Sequence, residues 1–494
     1  MENEEAMKTI FEYDEEKNTG HIQEEEEEQD VYIELPIDVV RKEGLPIPDL
    51  NEIDVVRHYT NLSRMNFGVD IGFYPLGSCT MKYNPKVNED AARAEGFNNL
   101  HPLSPVESAQ GSLKLMWELK EYLKSITGMD DFSLQPAAGA QGELLGIIMT
   151  KAYFKDNGEK RTKAIIPDSA HGTNPATASM CKLKTITIPS DSRGNMDIGK
   201  FKESLSPEVA IVMLTNPNTL GLFDENTAEI ADLAHKNGTL MYCDGANMNA
   251  LLGITRPGDQ GFDILHLNLH KTFSTPHGGG GPGAGVVGVK SFLTDYLPIP
   301  QVVQLDNRYS LDYARKKSVG RVRSFYGNFG MHVRAYSYIH SWGTRIRKVS
   351  EHAILNANYL QSLLRDNFDL AYDRRCAHEF VLSTKRFGEK SALNIAKRLM
   401  DYGFHPPTIY FPLIVPEALM IEPTETESKE TLDRFALALK KIASEMKEHP
   451  EIVKQSPLST PVGRLDEVAA ARRPNLRWRP SQIQTKVATN EKSS

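Results

Sequence analysis

From about residue 108 onward, apolar positions fall into blocks whose period switches between that of a helix and that of a buried strand. Leu113, Leu115, Met116, Leu119 and Leu123 recur at helical spacing and predict a helix over Ser108–Ser125. A second helix is expected over Gln141–Ala152, and a third over Thr227–Lys236 that stops at Asn237-Gly238. Between them lie short, almost wholly apolar runs: Lys163–Ile166, Lys184–Ile188, Val209–Thr215 and Leu240–Cys243. Turn signals such as Ser190-Asp191-Ser192-Arg193-Gly194 and Asn216-Pro217 bound them. Strands apolar on both faces, alternating with helices, predict a parallel sheet covered on both sides, an α/β fold. Such sheets gather ligands at the carboxyl ends of their strands. Asn216, Asp244 and Lys271 are expected at such ends.

Either side of this block the pattern changes. A helical stretch over about Asn328–Arg365 leads to Phe380–Thr384, Ser391–Tyr402, Ala418–Glu422 and Ser428–Met446, which predict a smaller α+β domain. Residues before 65 read as an extension with an acidic run, Glu24–Glu28, the segment Leu45-Pro46-Ile47-Pro48, and a helix over Asn51–Leu62. The expected division is an extension at 1–65, a large domain at 66–330, a small domain at 331–455 and a tail at 456–494, with Lys486–Ser494 disordered. There is no internal repeat.

Composition narrows the class. Hydrophobic residues make up 40% and charged residues 25% of 494, an ordinary soluble profile, and the formal net charge of -8 offers no basic surface for nucleic acid. Four cysteines, Cys79, Cys181, Cys243 and Cys376, are scattered without a CxxC pair, which fits a reducing cytosol. The start, Met1-Glu2-Asn3-Glu4-Glu5, is unlike a secretory signal, and no apolar run reaches membrane-spanning length. A cytoplasmic protein is expected.

Lys271 carries the sharpest chemical signal. It ends the apolar run Phe262–Lys271 and stands before Ser274-Thr275-Pro276-His277 and the glycines Gly278–Gly281. A lysine kept partly dry at such a lip loses its proton more easily and can bond an aldehyde carbon. Tyr242-Cys243-Asp244-Gly245-Ala246-Asn247 places a carboxylate where another apolar strand ends, and Gly245 and Ala246 leave room beside it. Pyridoxal phosphate needs this set: an amine for its aldehyde, a carboxylate for its pyridine nitrogen, and backbone amides for its phosphate. Small residues at Ala138, Gly139 and Ala140, followed by Gln141, open a helix and suit the phosphate, although an ordinary helix start reads the same way. His171, in Pro167–Pro175 after a strand, suits stacking on the cofactor ring or proton handling. Asn216 suits contact with the ring oxygen, or a simple turn. Gly278, Gly280 and Gly283 match GxGxxG only formally, because Pro282 lies inside and a strand follows. Gly199-Lys200 is followed by Phe201, so it is no P-loop.

These residues together resemble the P-protein family of the glycine cleavage system, and within it the second subunit of the split, two-subunit form. The likeness rests on Tyr74–Lys82, Gln135–Gly142, Asp168–Ala176, Leu214–Phe223, Asp244–Asn247, Leu269–Gly285, Gly320–Asn328 and Met420–Glu425, and spans about residues 35–450. It implies the aspartate aminotransferase-like fold, fold type I, and pyridoxal 5'-phosphate held by Lys271, with Asp244 at its ring nitrogen and His171 on its ring. It implies decarboxylation of glycine with transfer of the aminomethyl group to the lipoyl arm of H-protein, and a partner first subunit in an α2β2 heterotetramer. His270 and His277 are candidates for proton handling or phosphate contact, and Arg323 for steering the substrate. Another fold type I decarboxylase or aminotransferase, or a cofactor-free regulatory subunit, are the alternatives. The acidic run before Leu35 departs from the family pattern.

Overall fold

A computed structural model describes residues 9–13, 36, 38–40, 48, 50–277 and 283–477. The acidic run Glu24–Glu28, the segment Leu45–Ile47, the glycines Gly278–Gly281 and the end Lys486–Ser494 lie outside the described residues. Residues 69–458 form one compact unit, and residues 1–68 with 459–494 form another.

In the terminal unit, helix α1 (Glu52–Arg64) starts at Asn51, whose side chain accepts a hydrogen bond from the Asp54 amide. That bond satisfies one of the donors every helix start leaves open. His58 is the buried side chain of this helix, and Tyr13 Oη lies 3.1 Å from its Nδ1.

The large unit is built on a seven-stranded sheet. Its strands are β1 (Asp131–Ser133), β2 (Lys163–Pro167), β3 (Lys184–Ile188), β4 (Val209–Thr215), β5 (Leu240–Asp244), β6 (Ile264–Asn268) and β7 (Gly285–Val289), in the order β1-β7-β6-β5-β4-β2-β3. The run from β3 to β6 is parallel, while β7 lies antiparallel to both β6 and β1. Strands β5, β6 and β7 are buried at every position, which is why they are nearly free of charge. β3 departs from the expected apolar pattern because it is the edge strand, with Lys184 and Thr187 exposed. Helices cover both faces. Leu119 and Leu123 of α2 (Gln110–Thr127) enter one core, and Leu145, Ile147 and Met149 of α3 (Gly139–Asp156) enter the other.

A second sheet is antiparallel throughout: β8 (Asp369–Leu370), β9 (Phe380–Ser383), β10 (Thr408–Ile409) and β11 (Ala418–Ile421), in the order β8-β9-β11-β10. Phe380, Leu382, Leu419 and Ile421 pack against Ile395 and Leu399 of one helix (Ser391–Asp401) and Phe435 and Leu439 of another (Lys429–Glu448). The Tyr74–Lys82 segment runs along this sheet, with Gly77 N donating to Met420 O and Leu76 bridged to Ile421. The long helix expected over Asn328–Arg365 is two helices, Phe329–Trp342 and Arg347–Leu364, broken at Gly343 (φ 51°, ψ -130°). Elements without a clear sequence signal are β1, the Gln301–Asp312 hairpin and the helices Lys86–Arg93 and Thr173–Met180.

Candidate active site

Three strands build one wall. Their register sets Thr215 of β4 beside Asp244 of β5, and Asp244 beside His266 of β6, so the three side chains share a face of the sheet. Lys271 follows β6 by one turn, its amide donating to Asn268 O at 3.0 Å. The start of α3 closes over them at backbone distance. A Cβ on Gly139 would stand 2.9 Å from the Asn268 amide and 3.0 Å from His266 Nε2. One on Gly285 would stand 2.1 Å from Ala138 O. Only glycine allows this approach.

A cavity of about 230 Å³ opens between these elements, and its wall includes Gly139, Ala140, His171, Asp244, Ala246, His270 and Lys271. Ala138, Gln141 and Asn216 lie outside that wall. Gln141 accepts from Ala137 N at 2.7 Å and donates to Val322 O at 2.9 Å. Asn216 donates to Thr227 Oγ1 at 2.8 Å and accepts from Asp224 N at 2.9 Å, so it braces the loop after β4. Its neighbours Thr215, Pro217 and Asn218 line the cavity instead. Arg323 donates to Asn328 Oδ1 at 2.6 Å and is also outside the wall. His277 meets His270 edge to face at 5.1 Å.

The charges are arranged around Asp244. Burial alone pushes its carboxyl up, but His266, the amide of Asn174 and Lys271 together outweigh burial and hold it below the usual carboxylate range. Asn174 Nδ2 donates to Asp244 Oδ2 at 2.9 Å, and Ala246 N donates to Oδ1 at 3.2 Å. Tyr242, whose hydroxyl burial keeps protonated, meets His266 Nδ1 at 2.5 Å. With Nδ1 accepting, His266 carries its proton on Nε2, 3.5 Å from Asp244 Oδ1. Asp244 is therefore an anion with its charge fixed in place. Glu143 of α3, in the same wall, is the opposite case: burial and the Asp244 charge push it up to about 8. His270 is pushed down to about 3 by burial, with His277 and Lys271 adding to the effect.

A second buried group lies close enough to Lys271 to feel its charge. His378, Glu379 and Glu422 bring their ligand-type atoms within 4.8 Å of one another, a spacing that would admit a metal ion. Donors already serve these carboxylates: Thr80, Asn247 and Asn249 donate to Glu422, and Ser78 N donates to Glu379. Burial lifts Glu379 to about 8, and the nearby Glu422 adds to the lift.

The wall fits a phosphorylated pyridine aldehyde. Thr215, Asn268 and His378 each carry a buried polar atom with no hydrogen-bond partner among the described residues, and all three line the cavity. Such atoms suit a polar ligand. The amides opening the 18-residue helix α3 have no side-chain cap, which suits an anion. Glu143, His266, His378, Glu379 and Glu422 were not singled out by the sequence pattern. The available signal was a polar residue inside or at the end of a buried apolar strand, as at His266 within Ile264–Asn268 and Glu422 after Ile421.

Known proteins resemble this chain in sequence and fold. The family model "Glycine cleavage system P-protein" matches residues 44–302, and "Glycine dehydrogenase, C-terminal domain" matches residues 349–459. A probable glycine dehydrogenase (decarboxylating) subunit 2 from Caldanaerobacter subterraneus subsp. tengcongensis is 60% identical over 448 residues, covering 90% of this chain and 92% of that protein. The crystal structure of a glycine decarboxylase (P-protein) of the glycine cleavage system, in inhibitor-bound form, superposes with a TM-score of 0.68 at 22% identity, over 83% of this chain and 93% of that one. A glutamate decarboxylase from Lactobacillus brevis superposes with a TM-score of 0.64 at 13% identity, over 83% of this chain and 96% of that one. The two superpositions give the fold as fold type I, aspartate aminotransferase-like. With one family model spanning more than half of its length and a relative 60% identical over 90% of the chain, the chain belongs to the P-protein family of the glycine cleavage system.

Proposed function

We propose that this chain decarboxylates glycine with pyridoxal 5'-phosphate and passes the aminomethyl group to the lipoyl arm of H-protein. It would work in the cytoplasm beside a first subunit, in an α2β2 assembly. The observation that carries the reading is the buried, ionised Asp244 facing the same cavity as Lys271 at the carboxyl edge of a parallel sheet. The subunit number in the relative's printed name supports the partner. No helix among the described residues is long and apolar enough to cross a membrane.

The placement of these residues around the cavity supports the following roles. Lys271 would hold the aldehyde carbon, and the Gly139 and Ala140 amides with His270 would hold the phosphate. When bound, the cofactor supplies an electron sink for the bond that breaks at the glycine α-carbon. Asp244 would keep a proton on the ring nitrogen, because its carboxyl is held below the usual carboxylate range. His171 offers its ring beside the cavity. Glu143 and Glu379, each near 8, stay neutral, so the glycine carboxylate meets few competing anions. The strand side of the wall, with Asp244 and His266 buried, is dry, which favours leaving as uncharged CO2.

Borohydride reduction of the chain loaded with pyridoxal phosphate, followed by peptide mapping, tests the assignment. The tag is expected on the peptide that contains Lys271. A tag elsewhere overturns the site, and a chain that takes up no cofactor overturns the function. Glycine–bicarbonate exchange that requires both the first subunit and lipoylated H-protein is the expected activity.

A further inference from the structure

We propose that Glu143 is a positioning residue which, through the hydroxyl of Thr173, decides which nitrogen of His171 carries the ring proton. This rests on the reading of His171 as the residue that lies against the cofactor. Three side chains form a line. Thr173 Oγ1 is 2.8 Å from Glu143 Oε1 and 2.8 Å from His171 Nδ1. Thr177 Oγ1 meets the other carboxyl oxygen of Glu143 at 3.4 Å. The line runs from α3, through the first turn of the Thr173–Met180 helix, to the cavity wall.

Donor and acceptor roles along this line are not free. Thr173 N donates to His171 Nδ1 at 3.2 Å, so Nδ1 offers its lone pair and the ring proton belongs on Nε2. The Thr173 hydroxyl faces that same nitrogen. It avoids a clash of lone pairs only by donating to Nδ1 as well. Its oxygen must then accept from Glu143, and only a protonated carboxyl can give that hydrogen. The surroundings supply the condition: Glu143 is 3% exposed, and it shares its pocket with Asp244 and Tyr242 of β5, His266 of β6 and Lys271 beyond it. Burial and the Asp244 charge favour the proton there, against Thr173, Thr177 and Lys271.

If Glu143 loses its proton, the hydroxyl turns to the carboxylate. Two lone pairs then face each other across 2.8 Å, and the strain is relieved when the ring proton moves to Nδ1, at the expense of the longer contact from Thr173 N. The Glu143 proton and the His171 tautomer are one coupled state. While Glu143 keeps its proton and burial holds His171 neutral, the ring is pinned on its Nδ1 side and donates from Nε2.

Nitrogen NMR of the full chain labelled at histidine reads the tautomer directly, with the His171 signal identified by its loss in a His171→Asn chain. Without cofactor, the wild type is expected to hold Nε2–H at pH 6 and to convert toward Nδ1–H as pH passes about 8. Glu143→Gln, which still donates through its amide, is expected to hold Nε2–H throughout. Thr173→Val, which cuts the line at the same volume, is expected to lose the conversion. The proposal is overturned if wild type and Glu143→Gln follow the same course with pH, or if the wild type holds Nδ1–H at pH 6. These measurements need no cofactor, so they stand apart from the labelling of Lys271. In the loaded chain, the absorption of the bound cofactor is expected to show a pH step in the wild type that Glu143→Gln lacks.

Discussion

Asp244 is a charge kept where burial opposes charge. Its neighbours explain it: the Asn174 amide, the Ala246 N–H and the His266 ring all point donors or positive charge at it. Replacing the oxygen with an amide removes the anion at constant shape, so Asp244→Asn tests the charge alone. Exchange of glycine carboxyl with bicarbonate is expected to fall about 10²–10³-fold, the range for removing one preorganised electrostatic partner. A chain with wild-type exchange would show that another group protonates the ring. At this scale the sequence made Lys271 and Asp244 legible, because each sits where an apolar strand stops. Glu143 and Glu379 were illegible for a physical reason. A glutamate in a helix, or before a strand, is ordinarily solvated, and only the packing of distant elements buries these two. Asn216 stood out as Asn-Pro at a strand end, yet its side chain turns toward Asp224 and Thr227, a direction that spacing alone does not encode.

Elements were more legible than side-chain directions. The spans Lys184–Ile188, Val209–Thr215 and Thr227–Lys236 are those the pattern predicts, since burial on one or both faces wrote their periods into the chain. The helix end at Asn237-Gly238 is equally readable, with Gly238 at φ 71°. β1 was lost because three residues are too few to show a period. The break after Trp342 was lost because helical spacing resumes at Val349 with little change of face. Gly343 makes that break possible, in a backbone region open almost only to glycine, and no atom lies within 4 Å of where its Cβ would be. Gly343→Ala therefore isolates backbone strain from crowding. It is expected to cost about 1–3 kcal/mol in urea unfolding. A neutral result would mean that the helix runs through and the break is absent in solution.

At the scale of the whole molecule, the buried ionisable groups make stability depend on pH in two opposed ways. Burial holds His270 and His378 near 3 and His277 and His332 near 4, all far below the ordinary imidazole value of 6.5. Their contribution to stability is present above about 6.5 and is lost as pH falls from there toward 3 to 4, because the unfolded chain takes up the protons first. Glu143 and Glu379 act the other way. Their native values near 8 exceed the ordinary 4.5, so their contribution is complete below about 4.5 and is lost as pH rises toward 8. From pH 6.5 to 8 these two carboxyls change together with Glu427, lifted to about 7 by burial, and His235, raised by Asp263, all in the same direction, so wild-type stability should decline across that interval. Glutamine mimics the protonated acid at every pH. The Glu143→Gln, Glu379→Gln double variant should match the wild type near pH 4.5 and exceed it increasingly up to pH 8, which moves its stability maximum upward. Urea unfolding of both chains at half-unit steps of pH measures the difference curve. Parallel curves would mean that both carboxyls are ionised in the folded protein at neutral pH, and that the site carries two more negative charges than its burial permits.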